Sequence, residues 1–216
     1  MRKICFLTAA LILYSVTLFA AVGCDLNDPD RDVRRLFPSS TGFKTVYVSI
    51  AEKGGDELLT KIEDRLGDKF KGLYETKDVP YTIYEIFQGK NKIGYIHGVN
   101  QKGTYGGIQV FLAFDVNGEI KGFYIQKLTS NKASLFRKEL FGAQFLGLSL
   151  KEFYAYNVAE ARFKVMAGAP AIKNPDPSSD ADFRSIMRGV KKNLILMDEF
   201  MLDNKYLRFH KSGGRI

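Results

Sequence analysis

Apolar and polar positions alternate over FKTVYVSI, residues 43–50, and that period of two predicts a β-strand. GDELLTKIEDRL, residues 55–66, changes the period: Leu58, Leu59, Ile62 and Leu66 recur at helical spacing and predict an amphipathic helix. YTIYEIF (81–87) and KIGYIHGV (92–99) read as strands joined across Gln88-Gly89-Lys90-Asn91. GIQVFLAF (107–114) and EIKGFYIQKL (119–128) follow, joined across Asp115-Val116-Asn117-Gly118. Asn-Gly between two apolar runs signals a hairpin, because both residues tolerate the positive φ of a tight turn. ASLFRKELFGAQFL (133–146) and SLKEFYAY (149–156) predict helices, and ARFKVM (161–166) one more short strand.

The clearest element comes last. Phe183, Met187, Val190, Leu194, Met197 and Met201 are spaced 4, 3, 4, 3, 4, which is one face of a helix over residues 180–202. Arg184, Arg188, Lys191 and Lys192 lie largely off that stripe, while the methionines read as core. The order strand, helix, run of strands, run of helices indicates an α+β fold: a small antiparallel sheet with packed helices, over residues 43–216. Residues 24–42 are polar with two prolines and read as a tether.

The first 23 residues stand apart. Arg2 and Lys3 precede an uncharged apolar run, Ile4 to Val22, that closes on Ala21-Val22-Gly23-Cys24. A basic start, an apolar stretch and small residues describe a secretory signal. The cysteine after Ala-Val-Gly resembles a bacterial lipobox, with Ala21 where leucine is usual, and Cys24 is then the lipidated residue. The other reading is an uncleaved membrane helix. Either one places the rest of the chain outside the cytoplasm and tethered to a membrane, and Asp25 after the lipobox implies the periplasmic face of an inner membrane.

Composition narrows the chemistry. The chain of 216 residues is 45% hydrophobic and 26% charged, as a globular protein is. Its two cysteines both fall at or before position 24, so the body has neither disulfides nor a thiol nucleophile. His97 and His210 are the only histidines, with no metal-ligand spacing. No G-x-S-x-G run or triad pattern is present. The formal charge is +8, and removal of Arg2 and Lys3 leaves 30 basic against 24 acidic residues, or +6. Such a charge suits anionic headgroups or an acidic partner, whereas no basic-aromatic module for nucleic acid appears.

Two short motifs remain. Ser179-Asp180-Ala181-Asp182 fits a capping box at the start of the last helix, with Ser179 accepting from the Asp182 amide. Lys102-Gly103-Thr104-Tyr105-Gly106-Gly107 is a glycine-rich turn that lets backbone approach a flat ligand, with Tyr105 available to stack.

Together these pieces resemble the FMN-binding domain of the G subunit of the Rnf electron-transport complex and the C subunit of sodium-pumping NADH:quinone reductase. The resemblance rests on Tyr81–Phe87, Gly94-Tyr95, Gly103-Thr104-Tyr105-Gly106-Gly107 and the hairpin Phe114–Gly122, and spans about residues 43–200. It implies a small extracytoplasmic domain on an N-terminal anchor, associated with membrane redox complex subunits and with FMN. In that family the FMN phosphate is esterified to a threonine in D-x-x-S-G-A-T-x-[ST]-S. Laid on this chain, the motif falls on 176–185: Asp176, Ser179, Ala181 and Ser185 match, but the glycine is Asp180 and the flavin-bearing threonine is Asp182. A second departure lies after the hairpin, where the family's H-x-E-T-P-G-like segment is Leu128-Thr129-Ser130-Asn131-Lys132-Ala133. The resemblance therefore implies FMN held noncovalently, with Gly103, Thr104, Tyr105, Gly106, Gly107, Ser179, Ala181, Arg184 and Ser185 as the binding residues. Arg184 and Arg188 offset the added carboxylates. The alternative is a flavin-free accessory lipoprotein of a membrane complex; a stand-alone catalyst has no residues to support it.

Cys24→Ala is expected to release the protein from membranes or leave an unprocessed precursor, read by fractionation and intact mass. Mature protein of unchanged mass that stays membrane-bound in this variant overturns the lipobox.

Overall fold

The computed structural model describes residues 24–71, 75–165 and 168–210. The apolar run of the first 23 residues, with its signal or anchor reading, lies outside the described residues. Among those described, no helix is long and apolar enough to cross a membrane.

Five antiparallel strands form a meander in sequence order: β1 (Gly42–Val48), β2 (Tyr81–Gln88), β3 (Asn91–Gly103), β4 (Gly106–Asp115) and β5 (Ile120–Lys127). The Asn117-Gly118 turn forms as expected, with Gly118 at a φ of 87°. Two apolar faces follow from the pleat. Ile83, Val99, Val110, Leu112 and Ile125 face one core, and Tyr84, Ile86, Ile96, Phe111 and Ala113 face another. The helices complete the α+β architecture predicted from the pattern.

The first core is closed by α7 (Asp180–Met201), whose stripe Phe183, Met187, Val190, Leu194 and Met197 is buried as expected. α3 (Gly55–Leu66) follows the short α2 (Ile50–Lys53) and adds Ile62 and Leu66. The 133–146 segment is two short helices, α4 (Ala133–Phe136) and α5 (Glu139–Ala143), with Lys138 extended between them. The break has an aromatic cause. In a continuous helix Phe136 and Phe141 would point about 140° apart, yet here their rings meet edge to face at 5.3 Å. α6 (Leu150–Phe153) and a two-residue ladder of β6 (Tyr156–Asn157) with β7 (Arg162–Phe163) complete that side, and α8 (Leu207–His210) follows α7.

The second core corrects the tether. Residues 29–36 fold as α1 (Pro29–Leu36), capped by Asp28 and started by a proline. Leu26, Val33 and Phe37 bury against Tyr84, Ile86 and Phe111, so residues 24–42 pack on the sheet and are not a free tether. Cys24 itself is 2% exposed within this core, and burial pushes its thiol well up. A lipid on that sulfur requires the side chain to turn out of the core.

The side of α7 off the apolar stripe is packed as well. Lys192, 1% exposed at its side chain, donates to Glu75 at 2.6 Å and to the Asn100 carbonyl at 2.8 Å. Arg188 reaches Asp68, Glu75 and the Gln101 side chain, and buried Lys191 donates to the Tyr156 carbonyl. Burial works against the Glu75 carboxylate, but Lys192 and Arg188 outweigh it and hold the group to about 2. Burial lowers Lys192 to about 8 despite Glu75, so both partners are charged at neutral pH. Farther along, Arg65 pairs with Asp198 and Glu199 and donates to Tyr154.

His97 sits under α7, fully buried, with Nδ1 2.8 Å from Asn193 Oδ1. Burial drives it down to about 4 against the opposing effect of that bond, so it is neutral in the fold. A histidine unfolded at about 6.5 and folded at about 4 binds more protons in the unfolded chain between those values. Stability is therefore complete above 6.5 and falls as pH drops toward 4. His97→Gln is expected to flatten the stability-against-pH curve across that window in urea titrations; an unchanged slope means that His97 is not the group responsible.

Candidate functional site

The glycine-rich turn is built by register. Gly103 pairs with Gly106 at the end of the β3–β4 ladder, leaving Thr104-Tyr105 as a two-residue connection. Gly106 has a φ of 141°, which favours glycine, and a side chain on Gly103 would strike Ile108 at 2.7 Å. Tyr105 stands 71% exposed at the tip.

α7 does not start on the expected capping box. Ser179 makes no side-chain cap bond. The cap lies three residues upstream: Asp176 accepts from the Ser178 amide and hydroxyl, at 2.9 and 2.7 Å, and heads a 3₁₀ turn, Pro177–Ser179, that runs into α7. Asp182 is thereby released from capping. Its Oδ1 accepts instead from the Thr104 amide at 2.7 Å and the Thr104 hydroxyl at 2.9 Å, and the residue is buried.

That contact joins two of the sequence-predicted segments, the turn 103–107 and the helix start 176–185. A third segment meets them. The Thr129 hydroxyl lies 3.9 Å from the Cβ position of Gly106, and Lys132 pairs with Asp176 at 2.9 Å. The bonds from Lys132 and Ser178 hold the Asp176 carboxyl down to about 2. Both departures from the family pattern, 128–133 and 180–182, thus border one place. Lys132 and Thr129 were missed as candidate site residues; the signal was their position in the segment that replaces the family's H-x-E-T-P-G run.

The individual candidates fare unevenly. Ser179 is buried beneath the helix start, Ala181 is exposed, and Ser185 is half-buried one turn on. Arg184 pairs with Asp180 at 2.5 Å and stays at the rim. Arg188 does not join the site, because its guanidinium is held by Asp68 and Glu75.

The electrostatics do not fit a phosphate here. Asp176, Asp180 and Asp182 face Lys132 and Arg184, each of which already holds a carboxylate. The Thr104 amide and hydroxyl, the donors that an anion at the turn would use, are taken by Asp182. A carboxylate at 182 also lacks the hydroxyl that a phosphodiester requires. Residues 176–185 therefore do not fit covalent FMN, and no step is drawn through it. No metal-holding group of histidine, cysteine or carboxylates occurs among the described residues.

No family model matches the chain. No curated protein matches it. Among solved structures, Shewanella oneidensis NqrC is similar over 85% of this chain and 91% of its own, at a TM-score of 0.55 and 14% identity. The C subunit of the Na(+)-translocating NADH-quinone reductase from Parabacteroides distasonis matches over 79% and 86%, at a TM-score of 0.37 and 15% identity. The first likeness shows the fold.

Asp182→Ala leaves the Thr104 donors without a partner in a part-buried place and is expected to cost ~1–3 kcal/mol. The Thr104 amide should exchange with solvent markedly faster. Unchanged exchange at Thr104, measured by NMR, means that the turn is not held by this carboxylate.

Proposed function

We propose that the protein is an FMN-binding-like domain associated with a membrane electron-transport assembly, and that it serves there as an extracytoplasmic module without bound flavin. The NqrC-like fold supports the association with a redox complex. The observation that supports the absence of covalent flavin is the Asp182 carboxylate, which accepts from the Thr104 amide and hydroxyl and offers no hydroxyl of its own. The apolar run Ile4–Val22 and Cys24 support a membrane tether, by lipid or by helix, on the periplasmic side of an inner membrane. In this reading the domain contributes binding surface to its complex, and its buried ion pairs hold shape rather than perform chemistry.

A second reading keeps FMN, bound noncovalently. The convergence of turn, 128–133 segment and helix start, with Tyr105 exposed beside it, favours it. A flavin transfers electrons with no protein acid or base, so the chain's lack of a catalytic pattern is compatible with this reading.

Visible absorbance of the purified protein separates the two. The first reading expects no flavin bands after gel filtration, and added FMN that fails to co-elute. Flavin bands that leave the protein on denaturation support the second. A peptide from residues 178–185 carrying an FMN mass overturns both. Asp180→Gly with Asp182→Thr removes two carboxylates and restores the family's S-G-A-T run from Ser179. Coexpressed with a flavin transferase, it is expected to gain covalent FMN only if the ring site persists.

A further inference from the structure

The segment that follows the N-terminal apolar run is pinned to β5. Gln126 on that strand donates to the Asp25 carbonyl and its side-chain oxygen accepts from the Asn27 amide, both at 2.8 Å. Val22, the last residue of the run Ile4–Val22, precedes Asp25 by three positions. Three residues span at most about 11 Å. An anchor in that run, or a lipid on Cys24, therefore holds a bilayer close to β5.

A groove of about 630 Å³ lies beside the same strand, lined by residues 121–125 between Arg35 and Leu36 of α1 and the segment 136–146. Its near end is one residue from Gln126, and its far end about 17 Å along the strand. The strand's own backbone is engaged there. Ile120 exchanges bonds with Gly147 and Leu148 at 2.8 Å, and the Ile125 carbonyl accepts from Arg137 Nε at 3.1 Å. What the groove offers is side chains.

These are cationic and apolar. Arg137 and Lys138, both exposed, enter no ion pair among the described residues, and Glu139 is the single carboxylate of the lining. Arg35 lies over the Tyr124 ring at 3.8 Å and also pairs with Asp32, and Lys121 pairs with Asp115 and Glu119. Leu146, 49% exposed, belongs to the lining, and Leu140, 81% exposed, stands two residues after Lys138 on α5. Exposed apolar side chains bordered by charge mark an interaction surface.

We propose that this face docks on the anionic lipid surface of the membrane that tethers the chain, with headgroup phosphates against Arg137 and Lys138 and with Leu140 and Leu146 in the boundary between headgroups and acyl chains. The proposal rests on the tether reading above and adds to it an orientation of the domain. Each cation near an anionic leaflet is attracted to it, and the leucines add apolar area removed from water. Contacts this few are weak alone, but a tether makes them intramolecular and raises the effective concentration of the surface. An acidic protein is the other partner such charge suits. The position of the tether favours lipid, because it brings a bilayer to this strand whatever else the domain binds.

The chain contains no tryptophan, so a single one reports without background. Leu140→Trp in the full chain is mixed with vesicles of phosphatidylglycerol or phosphatidylcholine carrying bromine on their acyl chains, and sedimentation and emission are measured. Tyr47→Trp, 61% exposed on β1 at the opposite edge of the sheet, is the comparison. On phosphatidylglycerol the reporter at 140 is expected to shift to the blue and to be quenched ~2-fold or more, less so on phosphatidylcholine, while the reporter at 47 stays in water. Lys138→Glu, an exposed change, is expected to remove roughly half or more of the quenching at 140. Protein that sediments while its reporter at 140 emits as in water, or is quenched equally at 47 and 140, overturns the docking and leaves the tether standing. Quenching at 140 on protein that high salt releases completely supports the docking and overturns the tether. Protein that never sediments overturns both.

Discussion

The placement of α7 along β3 is the constraint from which the other arrangements follow. Apolar packing alone would let a helix slide on a sheet, since a one-turn shift along the stripe trades one methionine or leucine for another. Polar anchors forbid it. Asn193 donates to the His97 carbonyl at 2.9 Å and accepts at His97 Nδ1, while Lys192 donates to the Asn100 carbonyl and Arg188 reaches the Gln101 side chain. Each would be a buried group without a partner after a slip, at a cost of several kcal/mol for the charged ones. Gly189 permits the approach, because a side chain there would meet Gln101 at 2.8 Å.

Once that register is set, the site is set too. α7 runs opposite to β3, and the eleven residues from Asn193 back to Asp182 cover about 16 Å. The seven from His97 to Thr104 cover about 23 Å of strand. The helix start therefore arrives at the end of the β3–β4 ladder, where the Asp182 carboxylate meets the Thr104 amide. The same geometry would bring a threonine hydroxyl at 182 to the glycine-rich turn.

What is legible in the sequence divides along physical lines. Strands, the Asn117-Gly118 hairpin and the α7 stripe can be read because apolar period is a local property. The pairing of Arg188 and Lys192 with Glu75 is not legible, because that partner lies 113 and 117 residues away and no local pattern announces it. α1 reads as a tether because only a few residues of a highly charged segment bury, Val33 and Asp32 within the helix and Phe37 after it. The capping box fails for a different reason. Asp176 offers a competing cap one 3₁₀ turn earlier, and a tertiary contact with Thr104 claims Asp182. The meeting of 103–107 with 176–185 is anticipated only through the family resemblance, whereas for Lys132 and Thr129 the sequence offers only their place in 128–133 and their contacts emerge in three dimensions.

Charge distribution links the site to the sheet edge. A helix N-terminus is ordinarily where a fold offers amides and positive potential to an anion. Here Asp176, Asp180 and Asp182 fill that end with the chain's own carboxylates, and Lys132 and Arg184 are spent on two of them. On the far side of the 128–133 segment the balance reverses. Arg137 and Lys138 enter no ion pair among the described residues, and Arg137 instead donates to the Ile125 carbonyl at the edge of β5.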